Sequence, residues 1–510
     1  MLSADTWTGK EKLRSFKILF LNTLAFTVCF ACWMMNGVLV TFLVDSGLQK
    51  WNSSETGWLI GIPVLSGAIF RLPIGILTDR YGGRVVYGWL MILTSIPMFL
   101  VSSCSNYSEF MLASFGFGFA GTAFAVGIAF TSVWFPKNWQ GTALGIFGAG
   151  NAGAAITSMG APHILNYFTE FGANPVGWKN LPKVYAAALL IMGVIFLVFT
   201  HYRVPDGASG KTLGQQLAPL KSVMVWRFGL YYFFVFGGFV ALAQWLIPYY
   251  VNVYSLSIAM AGFLAACNSL PSGLIRAIGG WMSDRWGGRT VSQTVFWISL
   301  VCCALLIVPQ MSIRSPGSGI MARFAGEVIR VSDTEIVTVG KIGETVYKLK
   351  PFVKGSDDER REGVFVFPCS QSWQESTVKV GDKIDKKQLL ARGVTHIFFQ
   401  ANVWIFTGIS FLLGSVMGIG KAGVYKLIPD YFPNDVGVVG GIVGVIGGLG
   451  GFICPVLFGY LLEWTGLWTT CWMFLFVVVM ACIVWMNIAI NEMLQQDAPE
   501  TLQKIGLLTK

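Results

Sequence analysis

Two fifteen-residue stretches constrain the fold of this chain more than anything else in it. Phe70 to Arg84 (FRLPIGILTDRYGGR) and Ile275 to Arg289 (IRAIGGWMSDRWGGR) agree at seven positions when shifted by 205. The shared pairs are Arg71/Arg276, Gly75/Gly280, Asp79/Asp284, Arg80/Arg285, Gly82/Gly287, Gly83/Gly288 and Arg84/Arg289. Each copy places one lone arginine in an apolar helix and ends in a charged turn. An arginine in hydrocarbon costs roughly 2.5–3.5 kcal/mol even on a lenient insertion scale, so it marks a site. A matched pair implies two halves and a two-fold site for an anion.

The surrounding chain makes hydrocarbon the right reference. Of 510 residues, 54% are hydrophobic and only 12% charged, too few to solvate a soluble surface of this size. The 60 glycines suit helices that cross closely in a bilayer. A net charge of +10 would suggest a nucleic-acid partner in a soluble protein. Here the basic residues sit at the ends of apolar runs, which is the positive-inside pattern, so no nucleic acid is expected. The ten cysteines form no CxxC or paired framework. Most lie in apolar runs as small packing residues, and only Cys104 and Cys369 are expected to face an aqueous side.

Twelve apolar spans follow in order, six plus six. They lie near 17–44, 56–78, 86–103, 108–134, 140–166 and 182–202, then 226–252, 259–283, 290–312, 397–427, 437–463 and 467–492. This is an all-α polytopic membrane protein with two pseudo-symmetric six-helix halves. The expected domains are a first half over 1–202, a cytoplasmic connector over 203–225, and a second half over 226–314 and 396–510. Lys and Arg in the N-terminus, the two charged turns, the connector and the tail fall on one side. Both termini are therefore expected in the cytoplasm, with the chain multi-pass in the cytoplasmic membrane.

Residues 315–395 break the pattern. They hold 13 Lys/Arg and 11 Asp/Glu, a charge density no span could carry. Alternating β-branched and polar runs (EVIRV, TEIVTVG, TVYKLK, VFVFP, STVKV) between turn signals predict a small β-rich insertion between spans nine and ten, on the external side. A second repeat brackets it. Trp134-Phe135-Pro136 matches Tyr431-Phe432-Pro433 at a shift of 297, so about 92 extra residues lie between Arg289 and Tyr431.

Arg71 lies eight residues before Asp79, about 12 Å along a helix and near mid-membrane. Arg276 matches it in depth. Neither host span carries an Asp or Glu. Two unpaired guanidinium groups facing one cavity repel unless an anion lies between them, and their planar donor forks suit a planar oxyanion. The turns read differently. Asp79, Arg80, Arg84, Asp284, Arg285 and Arg289 sit at helix ends, where they can lock neighbouring helices as conformational latches. Asn151, in the glycine-rich face Gly141 to Gly153, can bond either a neighbouring helix or a substrate oxygen. Phe124 on spacing alone reads as core. Lys421 and Lys426 interrupt the apolar run GSVMGIGKAGVYKLIPDYFP. Lys426 can snorkel to the cytoplasmic edge; Lys421 lies deeper, and both are candidates for proton coupling.

The turn Gly-x-x-x-Asp-Arg-x-Gly-Gly-Arg, present twice within twelve spans, resembles the major facilitator superfamily. AGTAFAVG…WFPKNWQGTALGIFGAGNAG and MGIGKAGVYKLIPDYFP…GGIVGVIGGLGG resemble the paired signatures of its nitrate/nitrite porter family. The resemblance implies that Arg71 and Arg276 clamp the substrate. It further implies that Phe124 stacks on a planar anion, that Asn151 is a polar contact and that Tyr232 reaches the substrate. It implies nitrate and nitrite as ligands, protons as a coupling ion in some members, no cofactor, no metal and no catalytic residue. The protein is expected to function as a monomer. Short-carboxylate transport and non-transporting anion sensing are the rival readings. Two departures stand out: the β-rich insertion lies outside the usual pattern, and lysines at 421 and 426 occur in some members only, which leaves the coupling mode open. The run VKVGDKIDKKQLLARG resembles a hairpin of lipoyl-type barrel-sandwich domains but has no Met-Lys-Met-like acceptor site, so it reads as a structural β module.

Overall fold

The computed structural model describes residues 9–203, 218–308, 311–340, 343–352, 369–399, 402–432 and 436–497. It divides into two compact units, one of residues 1–307 with 409–510 and one of residues 308–408.

The first unit is a helical bundle. Its helices are α1 Gly9–Trp33, α2 Met35–Asp45, α3 Ser53–Ile69, α4 Arg71–Tyr81, α5 Gly83–Leu100, α6 Tyr107–Phe117, α7 Ala123–Ser132, α8 Lys137–Gly148, α9 Gly153–Phe168 and α10 Asn180–Phe199. The second half follows with α11 Val223–Tyr232, α12 Phe239–Tyr254, α13 Ile258–Leu274, α14 Arg276–Trp286 and α15 Gly288–Leu306. It ends with α16 Val403–Tyr431, α17 Val436–Thr465 and α18 Thr470–Asp497. Joined end to end across short breaks, these make the twelve rods expected. Among the described residues nine helical stretches are long and apolar enough to cross a bilayer, or eleven if each bent pair counts as one span. The fifth rod, α8 to α9 through the 3₁₀ turn Ala149–Ala152, is not among them because its run is rich in glycine and carries polar residues such as Gln140, Asn151 and Ser158. Of the connector, only the 3₁₀ turn Ala218–Lys221 lies within the described residues.

Both arginine-bearing rods are broken. α3 meets α4 at 40° and α13 meets α14 at 44°, and the first residue after each break is the arginine. Pro73 accounts for the first bend: it lacks the N–H that would bond the Ile69 carbonyl. Its counterpart is Ile278, so the second bend has no proline at the matching place; Gly273, Gly279 and Gly280 flank it.

Among the described residues the two halves press together most tightly at the end away from the charged turns. A Cβ added at Gly57 of α3 would stand 2.4 Å from the Pro455 carbonyl oxygen of α17. One added at Gly262 of α13 would stand 2.0 Å from the Ser158 oxygen of α9. Backbone thus touches backbone along both seams, and Trp58 Nε1 donates to Tyr460 Oη at 3.2 Å. Toward the charged turns the picture reverses. At Gly75, Gly141, Gly145, Gly280 and Gly441 an added Cβ would meet nothing within 4 Å. Gly75 and Gly280 lie four residues beyond the arginines and so share their helix face. The bundle is sealed on the far side of the arginines and open on the side of the turns.

The second unit is a β module. One sheet has the order β1-β7-β5 and the other β4-β3-β2-β6, with all pairs antiparallel. The strands are β1 Met311–Met321, β2 Gly326–Val331, β3 Glu335–Gly340, β4 Gly343–Lys348, β5 Cys369–Ser376, β6 Lys383–Ile384 and β7 Leu389–Phe399. The strands begin before residue 315 because Met311 pairs with Phe399 across β1 and β7. Three of the expected runs are strands. VFVFP lies outside the described residues. STVKV is mostly loop, although Val378 is buried in the core with Val328, Ile336, Tyr347, Ile384 and Leu390. Ile336 is fully buried. Ile336→Ala should cost the module about 2–5 kcal/mol. Limited proteolysis of the whole protein should then show new cleavage within 311–399, with the helices still protected.

Among the described residues nine cysteines are free and eight of them buried. Cys104 corrects the expectation of an aqueous face: it is 7% exposed, its thiol bonds the Leu100 carbonyl, and burial pushes it up to about 11. The side chain of Cys369 lies outside the described residues.

Candidate functional site

Arg71 opens α4 and is almost completely buried. Its Nη1 donates to the Gly444 carbonyl of α17 at 2.7 Å, and Nε to the Gly121 carbonyl at 3.4 Å. Nη2 is buried without a hydrogen-bond partner. The guanidinium carbon stands 5.3 Å from the Phe236 ring centroid, 5.5 Å from that of Phe124 and 5.7 Å from that of Trp33. Arg276 opens α14 and is half-buried, with its Nη1 also buried and unpartnered. It lies 5.5 Å from the Phe124 centroid and 5.6 Å from that of Tyr425. The ring of Phe124 is thus shared by both arginines, one from each half. Among the described residues no carboxylate pairs with either. Their charges are met by ring faces and carbonyl dipoles, which attract cations but neutralise nothing.

Asn151 sits in the 3₁₀ turn between α8 and α9 and is fully buried. A Cβ added at Gly148 would lie 3.3 Å from Arg276 Cδ, and one at Gly273 would lie 3.3 Å from the Asn151 carbonyl carbon. These close approaches bring the turn beside Arg276. Both Oδ1 and Nδ2 of Asn151 lack partners. Of the two readings open for this residue, a bond to a neighbouring helix is therefore not the one formed here. Tyr232 ends α11 and is fully buried, its ring edge-on to Tyr425 at 4.8 Å. Its hydroxyl faces the Tyr425 hydroxyl and the Arg276 guanidinium, in contacts short of full hydrogen-bond geometry. Tyr231 turns away to pack on Phe296 at 5.3 Å.

Buried polar groups in folded proteins nearly always find partners. Here Arg71, Arg276, Asn151 and Tyr232 each present an orphaned atom, and the four come from both halves. A small oxyanion with several acceptor oxygens would satisfy the two guanidinium groups that share the Phe124 ring. The donor set suits an anion and is the wrong chemistry for a metal. Among the described residues no group of three or more His, Cys, Asp or Glu could hold one.

Lys421 is fully buried on α16. Its Nζ donates to Ser272 Oγ at 2.9 Å and to the Ser272 carbonyl at 3.3 Å, and lies 3.2 Å from the Phe239 centroid. The Phe236 ring lies 6.0 Å from this amine and 5.3 Å from the Arg71 guanidinium carbon. Lys426 is elsewhere, at the rim, paired with Asp284 at 2.8 Å. The turn residues stay out of the site. Arg84 donates to the Leu197 carbonyl of α10 and Arg289 to the Tyr431 hydroxyl of α16. Arg80 lies over Tyr81 and Arg285 over Trp281, while Asp79 is exposed beside Arg203. Apart from Asp79, which lies beside the connector residue Arg203, each of these contacts joins groups within a single half.

Sequence reading missed Phe236, Trp33, Tyr425 and the Gly444 carbonyl. Phe236 had one legible cue: it lies in the π-helical stretch Phe233–Gly238, and FFVFGG combines bulky rings with a glycine pair that lets a helix widen. Nothing local singles out the others.

A family model described as Major Facilitator Superfamily matches residues 21–326 and 389–501, leaving out most of the β module. The chain is 37% identical, over 96% of its length and 95% of the relative's, to a "Probable nitrate/nitrite antiporter NarK1" of Thermus thermophilus. It is 26% identical, over 92% and 93%, to a "Nitrite extrusion protein" of Bacillus subtilis. Among solved structures, a bacterial homolog of the human lysosomal transporter Spinster, in an inward-facing and occupied conformation, aligns with TM-score 0.60 and 13% identity. That alignment covers 94% of this chain and 97% of the other and shows the shared fold. With two six-rod halves meeting at a paired-arginine centre, the chain belongs to the nitrate/nitrite porters of the major facilitator superfamily.

Proposed function

We propose that this transporter carries nitrate, nitrite or both by alternating access, with the anion clamped between Arg71 and Arg276. The observation that carries the reading is the ring of Phe124, equidistant at 5.5 Å from two guanidinium groups that no acid neutralises. A planar monoanion stacked on that ring would accept from both forks, from Asn151 and from the Tyr232 hydroxyl. Loading removes the repulsion that otherwise resists drawing the halves together on the open side. No covalent bond changes, and the cycle is one of differential binding between two arrangements of the halves. The charged turns act as braces that keep each half rigid while it rocks. The positive-inside pattern supports placing the turns and both termini in the cytoplasm and the β module outside; the open side is then the cytoplasmic one.

Two coupling modes fit, nitrate/nitrite exchange and nitrate/proton symport. The Thermus relative's name favours exchange. Lys421 favours symport, as a buried amine one ring away from the clamp that could release its proton as the anion leaves. Purified protein in liposomes decides both points. Nitrate or nitrite flux supports the reading; flux of formate or acetate without nitrate, or binding without flux, would sink it. Acidification of the lumen during nitrate uptake selects symport, and a strict need for internal nitrite selects exchange.

Asn151→Ala removes a donor that has no other partner to lose. Nitrate affinity should fall by about 1.5–3 kcal/mol, the worth of a hydrogen bond to a charged group, with thermal stability unchanged. Calorimetric titration beside a melting curve checks both halves of that statement.

A further inference from the structure

The sealed side of the bundle holds an amide that the clamp does not use. Gln244 of α12 is fully buried, and neither its Oε1 nor its Nε2 has a hydrogen-bond partner. It lies eight residues past Phe236, about 12 Å further from the open side. A Cβ added at Gly37 of α2 would stand 2.9 Å from both Cα and Cβ of Gln244. Gln244 therefore lies in the seam between the halves, at the end that must part when the transporter opens the other way.

A second buried amide, on the facing helix α2, supplies a control. Asn36 is also buried, but its Nδ2 donates to the Leu59 carbonyl at 2.7 Å and to Ser114 Oγ at 2.9 Å, both in its own half. That is how an amide looks when it holds helices together. Gln244 is as deeply buried and forms no such bonds. An unpartnered buried amide destabilises the bundle, so the seam retains it at a cost that packing does not explain.

We propose that Gln244 is a second station for the transported anion, on the sealed side of the arginine clamp. When the seam between α2 and α12 parts, its Nε2 becomes a donor facing the newly opened passage. There it takes an oxyanion from water before the arginines receive it, or holds one briefly on the way out. The inference rests on the anion-transport reading above and extends it to a specific residue that loads substrate from one face.

The test is Gln244→Met, close in shape and without donors, in proteoliposomes of uniform orientation given labelled nitrate or nitrite at either face. The KM for anion offered to the sealed face should rise about tenfold, the loss of one hydrogen bond to an anion, while the KM at the open face stays within about twofold. The thermal midpoint should be equal to or above wild type, because no protein bond is lost. Unchanged KM at both faces would overturn the proposal. So would a lowered thermal midpoint with equal losses at the two faces, which is the signature of a structural amide. Gln244→Asn, which keeps a shorter donor, should recover part of the KM; no recovery counts against the station. Failure of the wild-type protein to move either anion would remove the transport reading and this proposal together. Wild-type flux with an indifferent Gln244→Met variant would remove only the second station.

Discussion

Arg71→Lys and Arg276→Lys should each abolish uptake while leaving the protein folded. Lysine keeps the charge but has one donor centre where arginine has a fork, so it cannot hold a planar anion with two parallel bonds. At position 71 the loss is compounded. The guanidinium spans from the Gly444 carbonyl, through three aromatic faces, to a free Nη2 in the site. An ammonium cannot bond the carbonyl and reach the anion at once. Each hydrogen bond lost to the anion costs about 1.5–3 kcal/mol, roughly 10- to 150-fold in rate, and the lysine loses at least one. The double variant should be no worse than either single one, since one arginine cannot clamp alone. Nitrate-driven flux and size-exclusion profiles together check this. Wild-type transport in both single variants would refute the clamp.

Gly262→Val should stop transport by a different route. In the sealed arrangement the added Cβ would meet the Ser158 carbonyl oxygen at 2.0 Å, and backbone cannot swing aside as a side chain can. The variant therefore disfavours every state in which α9 and α13 touch there. Carrying a two-state protein from 1:99 to 99:1 takes about 5.5 kcal/mol, and a clash between two helix backbones is of that order. Uptake should fall about 100-fold or more, because one of the two required states is lost. A cysteine at the sealed end, Ser54→Cys, is 8% exposed in wild type and should label faster with a polar maleimide in the Gly262→Val background. Gly262→Ala should give a smaller shift in the same direction. Unchanged labelling with unchanged flux would mean that the seam between α9 and α13 is not a gate.

The two predictions differ in how far they could be read in advance. The arginines were legible because a repeat at shift 205 is one-dimensional information, and a buried cation has too high a cost to be incidental. The rods, their number and the place of the β insertion were legible for the same reason: apolar length and charge density are local properties. The depth of Lys421 relative to Lys426 also followed from helix rise. Gly262 was not legible as a gate. A glycine face signals close packing but does not name the helix it packs on, and Ser158 lies over a hundred residues away.

What the sequence determined by itself is therefore the inventory: twelve spans in two halves, a paired arginine centre, charged turns and a separate β module. Tertiary structure decided the assignments. It put a helix break immediately before each arginine and made Phe124 common to both. It left Asn151, Tyr232 and Gln244 without partners while giving one to Asn36, and it closed one end of the bundle and not the other. The physical reason is that the pattern along a chain records what each residue can do locally. Which groups meet, and which are left unsatisfied, depends on packing between helices that are tens to hundreds of residues apart.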